Sequence, residues 1–240
     1  MDGIILVNKP QDWTSFDVCA KVRSLSKVKK VGHSGTLDPF ATGVLPVFIG
    51  KATKSISQFL NGDKGYQGEI TFGKSTDTYD ITGNVLSEAQ LAQELLDAIK
   101  NKDLKFFDKF IHKFTGKILQ QPPMFSAVKV NGQPLYKLAR KGIEVERASK
   151  EVEIYSFEIL DTIQPDKITF KIICSKGTYI RSIAHELGQY IGCGAILSKL
   201  ERFYAHPFHL SSGISIDALV DLAKIGMLDT VLLRVEDVIK

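Results

Sequence analysis

The sequence contains little cysteine and tryptophan and no long apolar run. Its 240 residues include three cysteines, Cys19, Cys174 and Cys193, and one tryptophan. Because the cysteines are odd in number and far apart, they predict neither a disulfide framework nor a CxxC metal or redox pair. No segment approaches the roughly 18 consecutive apolar residues of a membrane span, and no secretory signal is recognisable. We therefore expect a cytoplasmic protein without a membrane partner.

Common metal- and nucleotide-binding motifs are also missing. The five histidines form no HExxH pattern, and none is spaced with a cysteine as zinc ligands are. Gly50 and Lys51 resemble the end of a phosphate-binding loop, but Leu45 stands where the first glycine of that loop is required. The sequence therefore predicts neither a zinc site nor a nucleotide triphosphatase.

The order of predicted elements indicates an α+β protein. The composition, 44% hydrophobic and 24% charged, is that of a globular chain with a sizeable core. Many predicted strands join directly to other strands, so we expect a mixed, largely antiparallel central sheet flanked by helices and loops. Strands are predicted at 2–7, 44–49, 65–72, 126–130, 151–160 and 167–174, and helices at 14–26, 51–60, 88–100, 103–115 and 178–190.

One acidic residue stands alone in a basic stretch. Between Val18 and Leu60 there are seven lysines and arginines and one acid, Asp38. Such a stretch would attract a polyanion such as a phosphate backbone, although a solvated surface explains the charges as well. Asp38 lies in VGHSGTLDPFATG, residues 31–43, whose glycines allow close approach to a ligand. Asp38 before Pro39 is also typical of a turn cap, but an idle carboxylate there would repel the polyanion.

A second unusual residue is Arg181, in SKGTYIRS at 175–182. If Thr178 caps the helix that follows, Arg181 falls in its first turn, where the positive end of the helix dipole disfavours a cation. Either the side chain is fully solvated or a carboxylate offsets the dipole. Asp38 is the candidate partner, because pairing with arginine would keep it ionised and oriented, as a nucleophile or a base requires.

Six ordered blocks of this sequence resemble the TruB family of pseudouridine synthases, which modify the T loop of transfer RNA. The block GHSGTLDPFATGVLP is similar to the family's catalytic loop, and VNKPQDWTS, GYQGEITFGKSTDTYDITG, QPPMFSAVKVNGQPLYKLARKG, SKGTYIRSIAHELG and GCGAILSKLERF extend the likeness along nearly the whole chain. The resemblance implies a pseudouridine-synthase-like catalytic domain at 1–210. Residues 211–240 are expected to be a short helical or strand-like tail rather than a full RNA-binding module of the PUA type.

The resemblance also implies a role for several side chains. Asp38 would be the catalytic carboxylate, paired with Arg181. His33 would help to expel or replace the target nucleotide in the base stack, and Tyr66 would lie against the flipped uracil. Without the family, the pattern around Tyr66 favours simple core packing.

Three further residues complete the set that the resemblance implies. Tyr179 and Leu200 would line the uridine pocket, and core packing is again the alternative for Leu200. Lys9 matches the N-terminal Lys-Pro motif that supports the site. Two positions depart from the family pattern, since Asp12 stands where glycine is usual and Glu201 where a basic residue is common.

The implied reaction is an isomerisation of uridine in the T stem-loop of transfer RNA, at position 55, which consumes no electron or group donor. Neither a metal nor a coenzyme is expected, and we expect a monomer. Asp38 could attack C1′, add to the uracil ring or remove a sugar proton. Two other functions stay open: a noncatalytic RNA chaperone of transfer RNA folding, and a pseudouridine synthase acting on another RNA.

Overall fold

The computed structural model describes residues 1–238, and its elements confirm an α+β protein with a mostly antiparallel sheet. The α-helices are α1 Ser15–Ser26, α2 Ile56–Leu60, α3 Gln93–Lys100, α4 Lys105–Ile111, α5 Leu135–Ala139, α6 Ile180–Ile191, α7 Ile216–Lys224 and α8 Val235–Val238. The strands are β1 Gly3–Lys9, β2 Val31–His33, β3 Thr42–Ile49, β4 Lys64–Phe72, β5 Lys74–Thr76, β6 Val85–Glu88, β7 Gly116–Gln120, β8 Lys129–Val130, β9 Gln133–Pro134, β10 Lys150–Ile163, β11 Lys167–Cys174, β12 Ala195–Ala205 and β13 Phe208–His209.

The chain divides into two compact units. The first comprises Met1–Tyr66 and the chain from Leu200 onward, and the second comprises Gln67–Lys199. The division expected from the sequence, at residue 210, stays a prediction, and residues 239 and 240 of the expected tail lie outside the described residues. Within that tail, α7 and α8 are helical.

The first unit has an apolar layer on each face of its strands. β1 and β3 are antiparallel from Gly3 opposite Ile49 to Lys9 opposite Gly43. Because side chains alternate along a strand, one face packs with α1, α7 and Leu228, and the other with Phe59 and Phe208. Helix α1 begins at the predicted place, with Thr14 and Asp17 forming a capping box.

The second unit contains strands β11, β10 and β7, and β10 is antiparallel to both β11 and β7. Aromatic side chains pack along them, with the rings of Phe157 and Phe170 edge-on at a centroid distance of 6.0 Å. Helix α6 buries four apolar residues on one face, Ile180, Ile183, Ala184 and Leu187.

Several predicted boundaries were wrong. The glycine-rich segment 31–43 is not all loop, since its ends belong to β2 and β3. The predicted helix at 51–60 is a 3₁₀ turn at Gly50–Ser55 followed by the short helix α2. Thr178 does not cap α6. The N-cap is Tyr179, and the Thr178 hydroxyl donates instead to the Ser175 carbonyl at 2.9 Å. Arg181 nevertheless lies in the first turn of α6, as predicted.

Candidate active site

Asp38 lies in a half-buried position on a loop that is tied to helix α1. Its neighbours Leu37 and Phe40 are buried, and they anchor the loop in the first unit. The Ser15 hydroxyl accepts from the Leu37 backbone N–H at 2.9 Å and lies 3.2 Å from the Leu37 carbonyl. The Ala41 N–H donates to the Asp38 carbonyl at 3.1 Å, which closes the turn. The carboxylate is thus held in a fixed loop without being turned into the core.

Lys9 stabilises the same loop through hydrogen bonds from its ammonium group. Its side chain is fully buried, and its ammonium donates to the carbonyls of Pro10, Trp13 and Pro39 at 2.9, 2.6 and 3.1 Å. Burial lowers the pKa of Lys9 to about 8, and the Asp38 carboxylate opposes that shift. The attraction is mutual, so the Lys9 cation favours an ionised Asp38. Lys9 therefore acts on the loop that carries Asp38.

Asp12, where glycine is usual in the family motif, has a backbone that explains the usual glycine. Its φ is +65°, in the left-handed region that glycine enters most easily and that aspartate tolerates better than most residues. The Asp12 N–H donates to the Pro39 carbonyl at 2.8 Å. The departure thus leaves the connection to the Asp38 loop in place.

Arg202 is a second buried cation of the first unit, and the sequence did not reveal it. Only 1% of Arg202 is exposed, and its guanidinium donates to the carbonyls of Val44 at 2.9 Å and Gly35 at 3.1 Å. Gly43, with φ +111°, lies so close to the Arg202 backbone that an added Cβ would be 2.3 Å from its carbonyl oxygen. A side chain at position 43 would therefore push β3 and β12 apart.

Tyr66, Leu200 and His33 also lie in the first unit. Tyr66 and Leu200 are 9% and 7% exposed, and the Tyr66 hydroxyl bonds to the Arg202 guanidinium. His33 ends β2, and burial together with the Arg202 charge lowers its pKa, so its imidazole is neutral at pH 7. The roles that the resemblance implies for these three side chains stay predictions.

Arg181 lies in the second unit and is held by several groups. It is 4% exposed, and its guanidinium donates to the carbonyls of Thr78 and Phe125, both at 2.9 Å. Its Nε lies 3.7 Å from Asp80 Oδ2, and Asp80 is as deeply buried. The solvated alternative for Arg181 was therefore wrong. A carboxylate lies beside its guanidinium, that of Asp80, which the sequence analysis did not predict as a partner. Pairing of Arg181 with Asp38 stays a prediction.

Asp80 is oriented by the loop in which it lies. Its Oδ1 accepts from the Thr82 N–H, the Thr82 hydroxyl and the Thr78 hydroxyl at 2.9, 2.6 and 2.8 Å. These bonds leave Oδ2 directed at Arg181. The hydroxyl and amide donors stabilise the charged carboxylate, and Arg181 supplies the opposite charge.

Tyr179 caps α6 with the help of a distant amide. Its N–H donates to Gln120 Oε1 at 2.7 Å, and Gln120 Nε2 donates to the Tyr179 carbonyl at 3.1 Å. Gln120 is buried at the end of β7, so the start of α6 and the Arg181 that follows it are fixed to the sheet. Local sequence contains no sign of this pair.

The predicted residues divide between the two units. Asp38, Lys9, His33, Tyr66 and Leu200 belong to the first unit, whereas Arg181 and Tyr179 belong to the second. Among residues 1–238, no helix is long and apolar enough to cross a bilayer.

Comparisons with known proteins agree with the motifs. Residues 23–180 match the model of the TruB family pseudouridylate synthase, N-terminal domain. The chain is 45% identical over 237 residues to tRNA pseudouridine synthase B of Geobacter sulfurreducens, which covers 99% of this chain and 75% of that protein. The same-named protein of Clostridium acetobutylicum is 46% identical over 219 residues, covering 91% and 72%.

A solved structure confirms the predicted fold class. The crystal structure of a Cbf5-Nop10-Gar1 complex aligns with a TM-score of 0.71 and 27% identity over 99% of this chain and 61% of the other. Sequence and fold thus point to the same family, which the catalytic-loop motif around Asp38 had indicated. The chain belongs to the TruB family of pseudouridylate synthases.

Proposed function

We propose that this enzyme converts the uridine at position 55, in the T loop of transfer RNA, to pseudouridine, with Asp38 as the catalytic carboxylate. The observation that carries the proposal is the Asp38 loop itself. It keeps the carboxylate half-exposed while Lys9 and Ser15 fix the backbone on both sides of it. A preorganised carboxylate of this kind needs no rearrangement before it meets a substrate.

The substrate follows from relatives and from charge. Relatives at about 45% identity carry the name tRNA pseudouridine synthase B. In the basic stretch around Asp38, five lysines are exposed to solvent: Lys27, Lys29, Lys30, Lys51 and Lys54. Exposed cations attract the phosphate backbone of RNA and release its counterions on binding, so they support an RNA substrate.

The reaction rearranges bonds within one nucleotide. The N1–C1′ bond breaks, the uracil turns, and a C5–C1′ bond forms while the C5 proton leaves and N1 gains a proton. No atom is added overall, and no electron is gained or lost. Asp38 is suited to attack C1′, to add to the ring or to remove a sugar proton, since each step requires an ionised carboxylate. Lys9 favours that ionised form.

The uridine must leave its stack before Asp38 can reach it. Extruding a base costs a few kcal/mol, and stacking on an aromatic ring recovers about 1–3 kcal/mol. Tyr66 is the proposed platform, because the resemblance places its ring against the uracil, and its hydroxyl interacts with the buried Arg202 guanidinium. Leu200 and Tyr179 are the proposed pocket walls, and the neutral His33 is suited to take the place of the extruded base in the stack.

Arg181 is the proposed cationic partner of the reaction. Its guanidinium is buried, and Thr78 and Asp80 fix its orientation. A guanidinium held in this way is a preorganised charge, which stabilises an anion without having to reorganise.

Mapping the product position tests the proposed function. Purified protein is incubated with a transfer RNA transcript, and with a matched transcript that carries cytidine in place of the T-loop uridine. We expect one pseudouridine per molecule, at that position, in the first RNA and none in the second. Pseudouridine elsewhere in both transcripts would assign another RNA target, and binding without any product would indicate a noncatalytic chaperone.

The cellular form is a separate part of the proposal. We propose a cytoplasmic monomer, which is consistent with the burial of all three cysteines and with the pKa of Cys19, raised by burial to about 11. Light scattering during size-exclusion chromatography would report a mass near 26.6 kDa for a monomer. A mass twice as large would contradict it.

A further inference from the structure

Three consecutive residues of the second unit, Thr78, Tyr79 and Asp80, contact helix α6. The outer two hold Arg181, through the Thr78 carbonyl at 2.9 Å and the Asp80 carboxylate at 3.7 Å. Between them, the ring of Tyr79 stacks on the imidazole of His185, with centroids 3.9 Å apart and planes 11° from parallel. This ring stack is the part of the arrangement that the proposed chemistry does not use.

The backbone of Tyr79 is strained. Its φ is +64°, in the left-handed region that residues with a Cβ rarely adopt. Such a conformation persists only where the surroundings over-determine it, and it is concentrated at functional sites. Here the Tyr79 N–H donates to the Thr76 carbonyl at 3.2 Å, and the Tyr79 carbonyl accepts from the Leu197 N–H at 3.0 Å. The backbone bonds and the ring stack together hold the turn that brings Thr78 and Asp80 to one guanidinium.

His185 lies one helical turn after Arg181, so the two side chains are neighbours on the same face of α6. Burial lowers the pKa of His185, so its ring is neutral at pH 7. Its Nδ1 is buried and has no hydrogen-bond partner among residues 1–238. The imidazole therefore contributes a flat surface for Tyr79 rather than a charge or a hydrogen bond through Nδ1.

We propose that the Tyr79–His185 stack is a positioning device for Arg181. The stack holds the turn at residues 78–80 against α6. Thr78 and Asp80 of that turn then fix the position of the Arg181 guanidinium. Tyr79 and His185 are positioning residues, because they act through Arg181 and its partners. The inference rests on the proposed function in one respect, namely that Arg181 serves the reaction.

Simple core packing predicts a different outcome from positioning. If the two rings only fill space, their loss lowers stability and leaves the turnover of the folded enzyme unchanged. If they position Arg181, their loss lowers kcat while the KM for transfer RNA stays the same, because the RNA-binding surface is untouched. Small displacements of a catalytic group are known to cost up to about a hundredfold in rate.

The variant Tyr79→Gly separates the two cases. Glycine adopts a φ of +64° without strain, so the backbone is relieved while the ring is lost. We expect kcat to fall about tenfold, with KM for transfer RNA changed less than about twofold. His185→Ala should reproduce this loss, whereas Tyr79→Phe and His185→Phe keep a ring at each position and should keep kcat near that of the unaltered enzyme.

Lys102→Gly is the matched control. Lys102 also has a positive φ, +56°, but it is exposed, and its ammonium pairs with the half-buried Asp161. Glycine there relieves the same kind of strain without touching Arg181, so kcat should not change. A full kcat in Tyr79→Gly, or no recovery in His185→Phe, would overturn the positioning role.

Failure of the proposed function gives a different pattern. If Arg181→Met keeps full activity, Arg181 has no part in the reaction. Its role in the proposed function is then wrong, whatever the activity of Tyr79→Gly. If Arg181→Met is inactive and Tyr79→Gly is fully active, only the positioning role fails. Melting curves for every variant verify that the measured enzyme is folded.

Discussion

The Asp38 loop and the Arg181 cluster hold opposite charges in opposite ways. In the first unit the acid is half-exposed, and the buried cations Lys9 and Arg202 bind carbonyls of the surrounding backbone. In the second unit the cation itself is buried, and carbonyls and a carboxylate bind it directly. Cations are therefore scaffolding around Asp38, whereas the cation Arg181 is the group being positioned. Substitution of the buried cation Arg202 should thus mainly change stability, and substitution of Arg181 should mainly change turnover.

Among the substitutions of buried cations, Arg181→Met should have the largest effect on turnover. It removes the proposed positive charge and leaves Asp80 buried without its cation. We expect kcat to fall about 10²- to 10³-fold, the usual effect of losing one preorganised electrostatic group. Single-turnover assays at saturating enzyme measure the rate of pseudouridine formation on the enzyme directly. Arg181→Lys keeps the charge but loses the planar fork, so it should recover only part of the rate. Full activity in Arg181→Lys would mean that the orientation of the guanidinium is irrelevant.

Arg202→Met tests the scaffolding side of the comparison. Removal of the guanidinium leaves the Val44 and Gly35 carbonyls without these donors. We expect the free energy of unfolding to fall by about 3 kcal/mol, measured by urea denaturation. Arg23→Met is the control, since Arg23 also donates to backbone carbonyls but is partly exposed, and it should cost less than about 1 kcal/mol. Equal losses in the two variants would contradict the distinction.

The smallest effect is expected from pH, through Lys9. Its pKa of about 8 means that the ammonium loses a proton above pH 8, leaving two N–H groups for three carbonyls. We expect kcat to fall about fivefold between pH 7 and pH 9, equivalent to one hydrogen bond of about 1 kcal/mol. In Lys9→Gln, activity should be lower throughout but should lack the inflection near pH 8.

Stability should move in the other direction over the same range. The pKa of folded Lys9 lies below its ordinary value of 10.5, so the unfolded chain binds more protons between about pH 8 and 10.5. The contribution of Lys9 to stability therefore rises with pH there and is constant below pH 8. Thermal melts at pH 7 and 9, compared with those of Lys9→Gln, would show whether a fall in activity is independent of unfolding.

Local patterns predicted those elements whose signals are themselves local. The capping box of Thr14 and Asp17 marks the start of α1, and a short continuous apolar run marks β1. The cap of α6 was misplaced because its decisive bond comes from Gln120, 59 residues away in the chain. A helix start that depends on a distant side chain leaves no mark in the adjacent sequence.

The buried cations show the same limit at the candidate site. Composition rules place lysine and arginine at the surface, so they do not predict the burial of Arg202. A signal was present in the sequence. Arg202 stands two residues after Leu200 in β12, in the every-second-residue series of the buried Ile196, Ser198 and Leu200, so its side chain faces the same side of the strand. Asp38 was identified because the motif around it is distinctive, whereas the Asp80 partner of Arg181 requires the three-dimensional structure.

The most direct test of the catalytic assignment is Asp38→Asn. The amide has the same shape as the carboxylate, so the loop and its contacts with Ser15 and Lys9 are retained while the charge is lost. We predict that the variant binds transfer RNA within about threefold of the unaltered affinity and forms no detectable pseudouridine under single-turnover conditions. Pseudouridine formed at the unaltered rate by Asp38→Asn would contradict the account.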